Sequence, residues 1–244
     1  LALEGVELMD LKSFPGREGE RYVLDNKNSE IVFTQGYSAT NTFYNNMAYF
    51  CTCTFSGSED LISLYNRFEG QQIKDLRLDA FFEVIGDEQY KVSKVGEKVY
   101  DCFVIRSAEL YLNKAEAEAM LDKAEAIQTI KTLLNNRFEG GIPPVDGLNG
   151  KDLVSFIRDE RRRELCFEAH RWFDLRRYAV SPKYPEKKSI KHTTYDKNGV
   201  LEGDYVLKPY GEDTAWVLPI PGYEIVYNQG NLVDNPQRVE RELE

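Results

Sequence analysis

The sequence lacks the long apolar runs that mark membrane proteins. It contains no stretch of about 18 consecutive apolar residues, and a membrane-spanning helix needs a run of roughly that length. The first residues also lack the charged segment followed by an apolar segment that defines a secretory signal. Because the chain starts at Leu1 without a methionine, we interpret it as a fragment or a processed product whose targeting segment is missing.

Histidine and closely spaced cysteine motifs are also scarce. The chain has two histidines, His170 and His192, and four cysteines, with no CxxC or HxxxH spacing. Zinc sites in proteins are built from such closely spaced pairs. Cys51 and Cys53 would point to the same side of an extended strand, which makes a disulfide between them awkward. We therefore expect buried free thiols, no metal site and no cofactor.

Positive charge is in deficit. The chain has 31 Lys and Arg against 41 Asp and Glu, which gives a net charge of −10. A surface of this charge repels phosphate backbones, so nucleic-acid binding is not expected. The hydrophobic fraction of 42% and the charged fraction of 30% are those of an ordinary globular chain. A chain of 244 residues is long enough for one large domain with a substantial core.

The first hundred residues carry little periodic structure. Strand-forming residues occupy 30–33, a loop rich in Tyr, Asn, Thr and Ser extends over 35–58, and a brief helix is predicted at 59–67. From Asp101 onward the pattern becomes helical. We predict one domain over 1–244 with a loop-rich part (1–100), a helical part (101–180) and a part with a hairpin and extended segments (181–244).

Three helices are predicted in the helical part. The first two have apolar faces at helical spacing, and a short connection makes them an antiparallel hairpin. These faces are Ala108, Leu112, Ala115 and Ala119, then Ile127, Ile130, Leu133 and Leu134. The third helix is predicted to run from about Lys151 to Arg177, because Pro182 and Pro185 follow it.

The last part of the chain shows the chemistry of a β-hairpin. Asn198–Gly199 lies between runs of strand-type residues, which is typical of a tight hairpin turn. The segments WVLPIPGYEI (216–225) and NQGNLVDNP (228–236) are predicted to be extended because prolines recur in them. Trp216 is predicted to belong to the core.

The stretch IRDERRRELCFEAHRWFDLRRY, residues 157–178, concentrates seven arginines among five acids. Ion pairs at helical spacing are predicted for Asp159–Arg163, Glu160–Arg163, Glu168–Arg171 and Asp174–Arg177. A nucleic-acid helix would leave its arginines uncompensated. A glycosidase needs a carboxyl group with a raised pKa, whereas neighbouring arginines would keep these carboxylates ionised. We therefore interpret the stretch as a structural ion lattice.

Five stretches resemble segments of the SusD/RagB family of surface nutrient-binding lipoproteins, in the same order along the chain. The most specific is RDERRRELCFEAHRWFDLRRY (158–178), which is similar to the signature helix of the family. The other four are EIVF (30–33), DLRLDAFF (75–82), VIRSAELYLNKAEAEA (104–119) and LPIPGYEIVYNQGNLVDNP (218–236). Family members are roughly twice this long, so the chain resembles the C-terminal half of such a protein.

The resemblance implies a mainly α-helical fold, in which tetratricopeptide-like helix hairpins carry an irregular, loop-rich part and small β-hairpins. It also implies a non-enzymatic protein, lipid-anchored on the outer membrane at the cell surface. Such a protein captures oligosaccharides and passes them to a SusC-like TonB-dependent transporter. The signature helix of the family is architectural. By that likeness the structural residues here are Arg161, Arg163, Glu164, Glu168, Arg171, Trp172 and Asp174.

Ligand contacts in the family come from variable loops and aromatic side chains, and QGYSATNTFYNNMAYF (35–50) is the candidate loop here. Ring faces suit the C–H surfaces of sugars, and amides suit their hydroxyl groups. The candidate ligand residues are Tyr37, Asn41, Tyr44, Asn45 and Tyr49. Three alternatives stay open: the rings pack on the scaffold, the surface receives a peptide, or the helices form a protein-interaction scaffold without a small ligand.

Overall fold

The computed structural model describes residues 5–16, 22–25, 27–35, 56–68, 72–85, 89–94, 103–238 and 240–243. The chain divides into two compact units, Leu1–Arg171 and Trp172–Glu244, which we call the first unit and the second unit. Helices dominate, and each sheet within the described residues has two antiparallel strands. The predicted class, mainly α with helix hairpins, a loop-rich part and small β-hairpins, is confirmed.

The elements of the described residues follow the predicted order. The helices are α1 (Glu59–Tyr65), α2 (Arg77–Phe81), α3 (Ser107–Met120), α4 (Glu125–Leu134), α5 (Gly150–Glu164), α6 (Arg171–Ala179) and α7 (Gly222–Tyr227). The strands are β1 (Ile31–Gln35), β2 (Lys74–Asp75), β3 (Phe82–Ile85), β4 (Gln89–Val92), β5 (Phe103–Arg106), β6 (Phe138–Glu139), β7 (Ile190–Tyr195) and β8 (Leu201–Leu207). The pairs are β1 with β5, β2 with β6, β3 with β4 and β7 with β8.

The helices α3 and α4 form the predicted hairpin, and α3 also packs against α5. The predicted apolar faces of α3 and α4 are buried, apart from the half-buried Ile127. Alanines on α3 allow a neighbouring helix to approach closely. Burying a side chain such as Leu112 or Ile130 stabilises the fold by roughly 1.5 to 3 kcal/mol. Local apolar periodicity therefore accounts for this hairpin.

The prediction of one continuous helix from Lys151 to Arg177 is wrong. Helix α5 ends at Glu164, and α6 begins only at Arg171. Between them Phe167 and Ala169 have φ angles of 62° and 64°, in a left-handed region that costs a residue other than glycine about 1 to 3 kcal/mol. Contacts from elsewhere in the chain must offset this cost.

Two distant bases bind the carbonyl groups at the end of α5. Lys94 Nζ donates to the backbone oxygens of Glu164 (2.8 Å) and Cys166 (3.0 Å). Arg106 Nη2 also donates to the backbone oxygen of Glu164 (2.7 Å). Positive charge is favourable at the carboxyl end of a helix, where carbonyl groups have no helical partner. Helix α5 therefore ends because of tertiary contacts that residues 151–177 do not contain.

The predicted β-hairpin is present as β7 and β8. Its turn contains Asn198–Gly199, and Gly199 has a φ of 78°, which glycine adopts without steric cost. The carboxylate of Asp196 accepts hydrogen bonds from the backbone N–H groups of Asn198 and Val200, both at 2.8 Å. The turn is thus closed by its own side chain as well as by the strands.

Aromatic rings form the centre of the second unit. Trp216 is 2% exposed, as predicted for a core residue. Its ring centroid lies 4.3 Å from that of Trp172, and its Nε1 donates to the backbone oxygen of Lys208 at 2.7 Å. The prediction that 216–225 is entirely extended is wrong, because α7 begins within it. Pro221 precedes α7, and its restricted φ of −53° suits the start of a helix.

A second apolar cluster of the first unit surrounds α1, β3 and the end of α5. Its buried members are Val23, Leu24, Leu61, Ile62, Tyr65, Phe81, Phe82 and Cys166. Cys166 is a buried free thiol, as predicted, whereas Cys51, Cys53 and Cys102 lie outside the described residues. None of the helices in the described part of the chain is both long enough and apolar enough to cross a membrane.

Candidate functional site

The candidate ligand residues, Tyr37, Asn41, Tyr44, Asn45 and Tyr49, lie outside the described residues. The segments on both sides of them are described. Strand β1 leads into this stretch and pairs with β5 as far as Gln35. On the other side, the N–H of Tyr90 donates to Ser56 Oγ (2.9 Å), and the N–H of Gly57 donates to the Tyr90 carbonyl (2.8 Å). Both flanks are therefore held by hydrogen bonds to β-strands.

Glu164 lies at the centre of a group of buried charges. Its Oε1 is 2.6 Å from Arg106 Nη1, and its Oε2 is 3.2 Å from Arg77 Nη1 and 2.9 Å from Arg137 Nε. All four side chains are at most 1% exposed. One carboxylate thus binds three guanidinium groups, which come from α2, from the end of β5 and from the turn after α4.

Two further carboxylates extend this group in opposite directions. Glu30, just before β1, binds Arg106 at 3.0 Å and Arg137 at 2.5 Å. Glu168, in the loop after α5, binds Lys94 at 2.5 Å and accepts from Arg106 Nε at 2.9 Å. Arg106 therefore contacts three carboxylates at once. This explains why β5, β1 and the α5–α6 loop meet at one point.

A second branch of the group lies between β2, α2 and α5. Arg77 donates two hydrogen bonds to Asp75, from Nε at 2.8 Å and from Nη2 at 2.7 Å. Its Nη1 also lies 2.9 Å from Glu160 Oε2. Glu160 pairs with Arg163 one turn further along α5, as predicted. Arg163 Nη1 donates to the Leu64 carbonyl at 2.7 Å, which attaches α5 to α1.

Together these side chains form what we call the ion network. Its members are Glu30, Asp75, Arg77, Lys94, Arg106, Arg137, Glu160, Arg163, Glu164 and Glu168. They are five acids and five bases, so their formal charges cancel, and each side chain is at most 4% exposed. Charge balance is what makes such deep burial tolerable.

The bases keep the central carboxylates ionised. Burial alone would raise the pKa of Glu164, but its three arginine partners outweigh burial and hold the pKa well below its ordinary value. Burial is likewise outweighed at Glu168, where Arg106 and Lys94 lower the pKa to about 2. Neither carboxyl group can act as a proton donor near neutral pH.

Arg163 shows the opposite balance. Burial, and after it the nearby charge of Arg77, lowers the pKa of Arg163 to about 10. Its Nε has no hydrogen-bond acceptor and lies 3.8 Å from Asp75 Oδ2. Arg163 is still a cation at neutral pH, so it completes the charge balance of the ion network.

The other predicted structural residues lie at the edges of the ion network or in the second unit. Arg161 donates to Asn113 Oδ1 at 2.8 Å and lies 3.6 Å from Glu109. Asp174 accepts from Arg177 at 2.9 Å, as predicted. Trp172 stacks on Trp216, and Arg171 begins α6.

Two predicted ion pairs need comment. Asp159 is paired with Arg67 at 3.2 Å, so the predicted Asp159–Arg163 pair is not formed. Glu168 is drawn towards Lys94 and Arg106, since the helix does not continue past Glu164. The predicted lattice therefore exists, but most of its bonds cross between elements instead of running along one helix.

Sequence reasoning missed the partners that lie far from the signature stretch: Glu30, Asp75, Arg77, Lys94, Arg106 and Arg137. One signal could have found some of them. Glu30, Asp75, Arg77 and Arg106 are charged residues inside or beside short apolar runs, in EIVF, DLRLDAFF and VIRSAEL. A charge in such a position is buried only when it has a partner.

The described residues contain no group of three or more His, Cys, Asp or Glu side chains arranged to hold a metal ion. His170 Nδ1 lies 3.4 Å from Arg161 Nη2 and 3.8 Å from Glu109 Oε1. This contact joins the α5–α6 loop to α3. What the arrangement provides chemically is a rigid, charge-balanced scaffold.

Comparison with known proteins identifies one family. The model of the SusD family matches residues 81–237. Two relatives from Formosa agariphila are similar in sequence. SusD-like protein P38 is 35% identical over 115 residues, covering 43% of this chain and 21% of that protein. SusD-like protein P2 is 28% identical over 142 residues, covering 54% of this chain and 25% of that protein.

Two solved structures share the fold. A SusD-like carbohydrate binding protein from Bacteroides vulgatus has a TM-score of 0.56 at 18% identity, over 93% of this chain. A SusD superfamily protein from Bacteroides thetaiotaomicron has a TM-score of 0.61 at 19% identity, over 95% of this chain. The match covers 52% of each solved chain. This chain therefore spans about half the length of the structures that share its fold.

Proposed function

This chain belongs to the SusD family, and on that premise we propose that it binds oligosaccharides without changing them chemically. The protein is placed at the cell surface, lipid-anchored on the outer membrane. There it hands captured glycan to a SusC-like TonB-dependent transporter. The ion network holds the scaffold, and the loop at 35–50 contacts the sugar.

The observation that carries this proposal is the family match, because it covers most of the ion network. Seven of the ten network residues lie within the matched region 81–237: Lys94, Arg106, Arg137, Glu160, Arg163, Glu164 and Glu168. One structure with the same fold is that of a SusD-like carbohydrate binding protein. This supports glycan as the ligand class.

The electrostatics support binding without hydrolysis. Glycoside hydrolysis requires a carboxyl group whose pKa is raised, so that it can protonate the leaving oxygen. In the part of the chain that the structure describes, each carboxyl group whose pKa is clearly shifted has a lowered pKa. These groups are Glu164, Glu168, Asp196, Asp204 and Asp213. A protein with these carboxylates should return a bound oligosaccharide intact.

The composition of the loop supports its role as the sugar site. We propose that Tyr37, Asn41, Tyr44, Asn45 and Tyr49 contact the glycan. The rings offer faces for sugar C–H groups, and the amides offer paired donors and acceptors for hydroxyl groups. The described flanks favour this role, because β1 on one side and Ser56 on the other are anchored to neighbouring strands.

The magnitudes require more than one ring. A buried tyrosine covers about 150 to 250 Å², and a sugar covers about half of that, so one ring contributes roughly 2 to 3 kcal/mol at about 25 cal/mol/Å². A millimolar complex already requires about 4 kcal/mol. At least two rings must therefore act together, which makes Tyr44 and Tyr49 the leading pair.

The test is calorimetry with a panel of oligosaccharides and peptides, on the parent, Tyr44→Ala and Tyr49→Ala. Each substitution should weaken binding of the preferred sugar by about tenfold or more, because it removes one of two cooperating rings. Tyr195→Ala is the matched control, since Tyr195 is an exposed tyrosine of the β7–β8 hairpin. It should bind like the parent.

Three outcomes would contradict the proposal. If Tyr44→Ala and Tyr49→Ala both bind the sugar as tightly as the parent, the loop is not the site. If the panel identifies a peptide and no sugar, the ligand class is wrong. If prolonged incubation releases reducing ends in proportion to the protein, the chain is a hydrolase.

A further inference from the structure

The second unit presents an apolar surface that nothing in the described residues covers. Its side chains are 61% to 85% exposed, although they are large and apolar. We call this surface the α7 patch, and its members are Leu218, Tyr223, Val226, Tyr227 and Val233. Helix α7, which carries three of them, buries none of its residues. Contiguous apolar surface of this kind marks an interface with another folded segment.

Hydrogen bonds at its base hold the α7 patch in place. The N–H of Ile220 donates to Asp234 Oδ1 at 2.8 Å, and Asn235 Nδ2 donates to the Leu218 carbonyl at 2.7 Å. These two bonds join the start and the end of the segment that carries the patch. The apolar side chains therefore project from a backbone that is closed on itself.

Charge argues against a second copy of this chain as the covering surface. Residues 217–235 contain the acids Glu224 and Asp234 and no Lys or Arg, in a chain with a net charge of −10. A two-fold symmetric contact would bring this acidic segment against itself. A covering surface that is apolar and neutral or basic suits the patch better.

The fold comparisons show where such a surface could come from. This chain matches only 52% of each of the two solved structures, although 93% and 95% of its own length is matched. About half of a protein with this fold thus lies outside the matched part. The α7 patch lies inside the region 81–237 that the family model describes.

We propose that the α7 patch is the surface on which the other half of the SusD fold, supplied by the same polypeptide, packs. The occupant is therefore a folded segment of a longer chain. Neither a sugar, a membrane nor a second copy is needed to account for the exposed rings. The inference does not depend on the identity of the ligand, because it concerns the assembly of the scaffold.

Hydroxyl-radical footprinting tests this by comparing the 244-residue chain with the longest polypeptide that its gene encodes. In the longer polypeptide, Tyr223 and Tyr227 should lose most of their reactivity and approach Tyr178, which is 1% exposed. Tyr195 is the matched control, because its 61% exposure equals that of Tyr223. Its reactivity should not change.

A substitution sharpens the result. Tyr227→Ser should lower the melting temperature of the longer polypeptide and leave that of the 244-residue chain unchanged, because Tyr227 is 80% exposed here. Tyr195→Ser should leave both unchanged. The proposal is overturned if Tyr223 and Tyr227 react equally in both proteins, or if the gene encodes only these 244 residues. It is also overturned if the 244-residue chain is a dimer that Tyr227→Ser dissociates.

Discussion

The two units of this chain hold their charges in different places. In the first unit, the ten charged side chains of the ion network form part of the interior. In the second unit the interior is aromatic, with Trp216 stacked on Trp172. There the ion pairs lie at the surface, as for Lys187 and Glu212, whose side chains are 55% and 47% exposed.

This difference shows that an ion pair has no fixed worth. An exposed pair contributes about 0 to 1 kcal/mol, because water solvates both partners when they separate. Burying a pair costs several kcal/mol of solvation, which the mutual attraction does little more than offset. Removing one buried partner is nevertheless very costly, because the other remains without water. The ion network therefore makes each of its members necessary to the first unit.

The largest expected effect comes from Glu164→Gln. The substitution keeps the shape of the side chain but leaves three buried guanidinium groups without their central carboxylate. The free energy of unfolding should fall by about 3 to 5 kcal/mol, measured by urea denaturation. Glu212→Gln makes the same chemical change at an exposed pair and should cost at most about 1 kcal/mol. Equal losses in the two variants would remove the contrast between the units.

Acid should destabilise the first unit through Glu168. The pKa of Glu168 is about 2 in the folded chain against an ordinary value of 4.5, so the unfolded chain binds more protons between these values. The stabilisation is therefore complete above pH 4.5 and is lost as the pH falls towards 2, by about 3 kcal/mol.

Urea midpoints at several pH values check this expectation in the parent and in Glu168→Gln. The variant should be less stable at neutral pH and should depend less on pH in the acid range, because it has no proton to gain at this position. An acid dependence as steep in Glu168→Gln as in the parent would assign the effect to other carboxylates.

A smaller effect is expected in the aromatic interior of the second unit. Trp216→Phe removes the hydrogen bond from Nε1 to the Lys208 carbonyl and reduces the stacking on Trp172. Together these losses should cost about 1 to 3 kcal/mol. The circular dichroism signal of the coupled indole rings should disappear as well. Tyr223→Phe, at an exposed ring, should leave stability unchanged, and an equal loss there would contradict this account of the interior.

Features set by nearby residues could be predicted from the sequence. The α3–α4 hairpin follows from apolar side chains at helical spacing, and the β7–β8 turn follows from Asn198–Gly199. The pair Glu160–Arg163 also follows from spacing along one helix. In each case the residues that determine the structure lie within a few positions of one another.

Features set by distant residues could not be predicted. Helix α5 ends early because Lys94 and Arg106, which are 70 and 58 positions from Glu164, bind its last carbonyl groups. The partners of the Glu164 carboxylate are 27 to 87 positions away. A single sequence shows that these residues are charged but does not show which of them meet. The candidate sugar loop rests on composition alone for the same reason.

The central claim is that the charges of the signature stretch hold the scaffold and do not touch the ligand. Arg161→Ala tests it most directly, because Arg161 is nearly buried and donates to Asn113 at the edge of the ion network. Stability and affinity for the preferred oligosaccharide are measured on the same preparation. We expect the free energy of unfolding to fall by about 1 to 3 kcal/mol, with Kd within about twofold of the parent. An unchanged melting temperature together with lost sugar binding would contradict the claim and place this stretch in the ligand site.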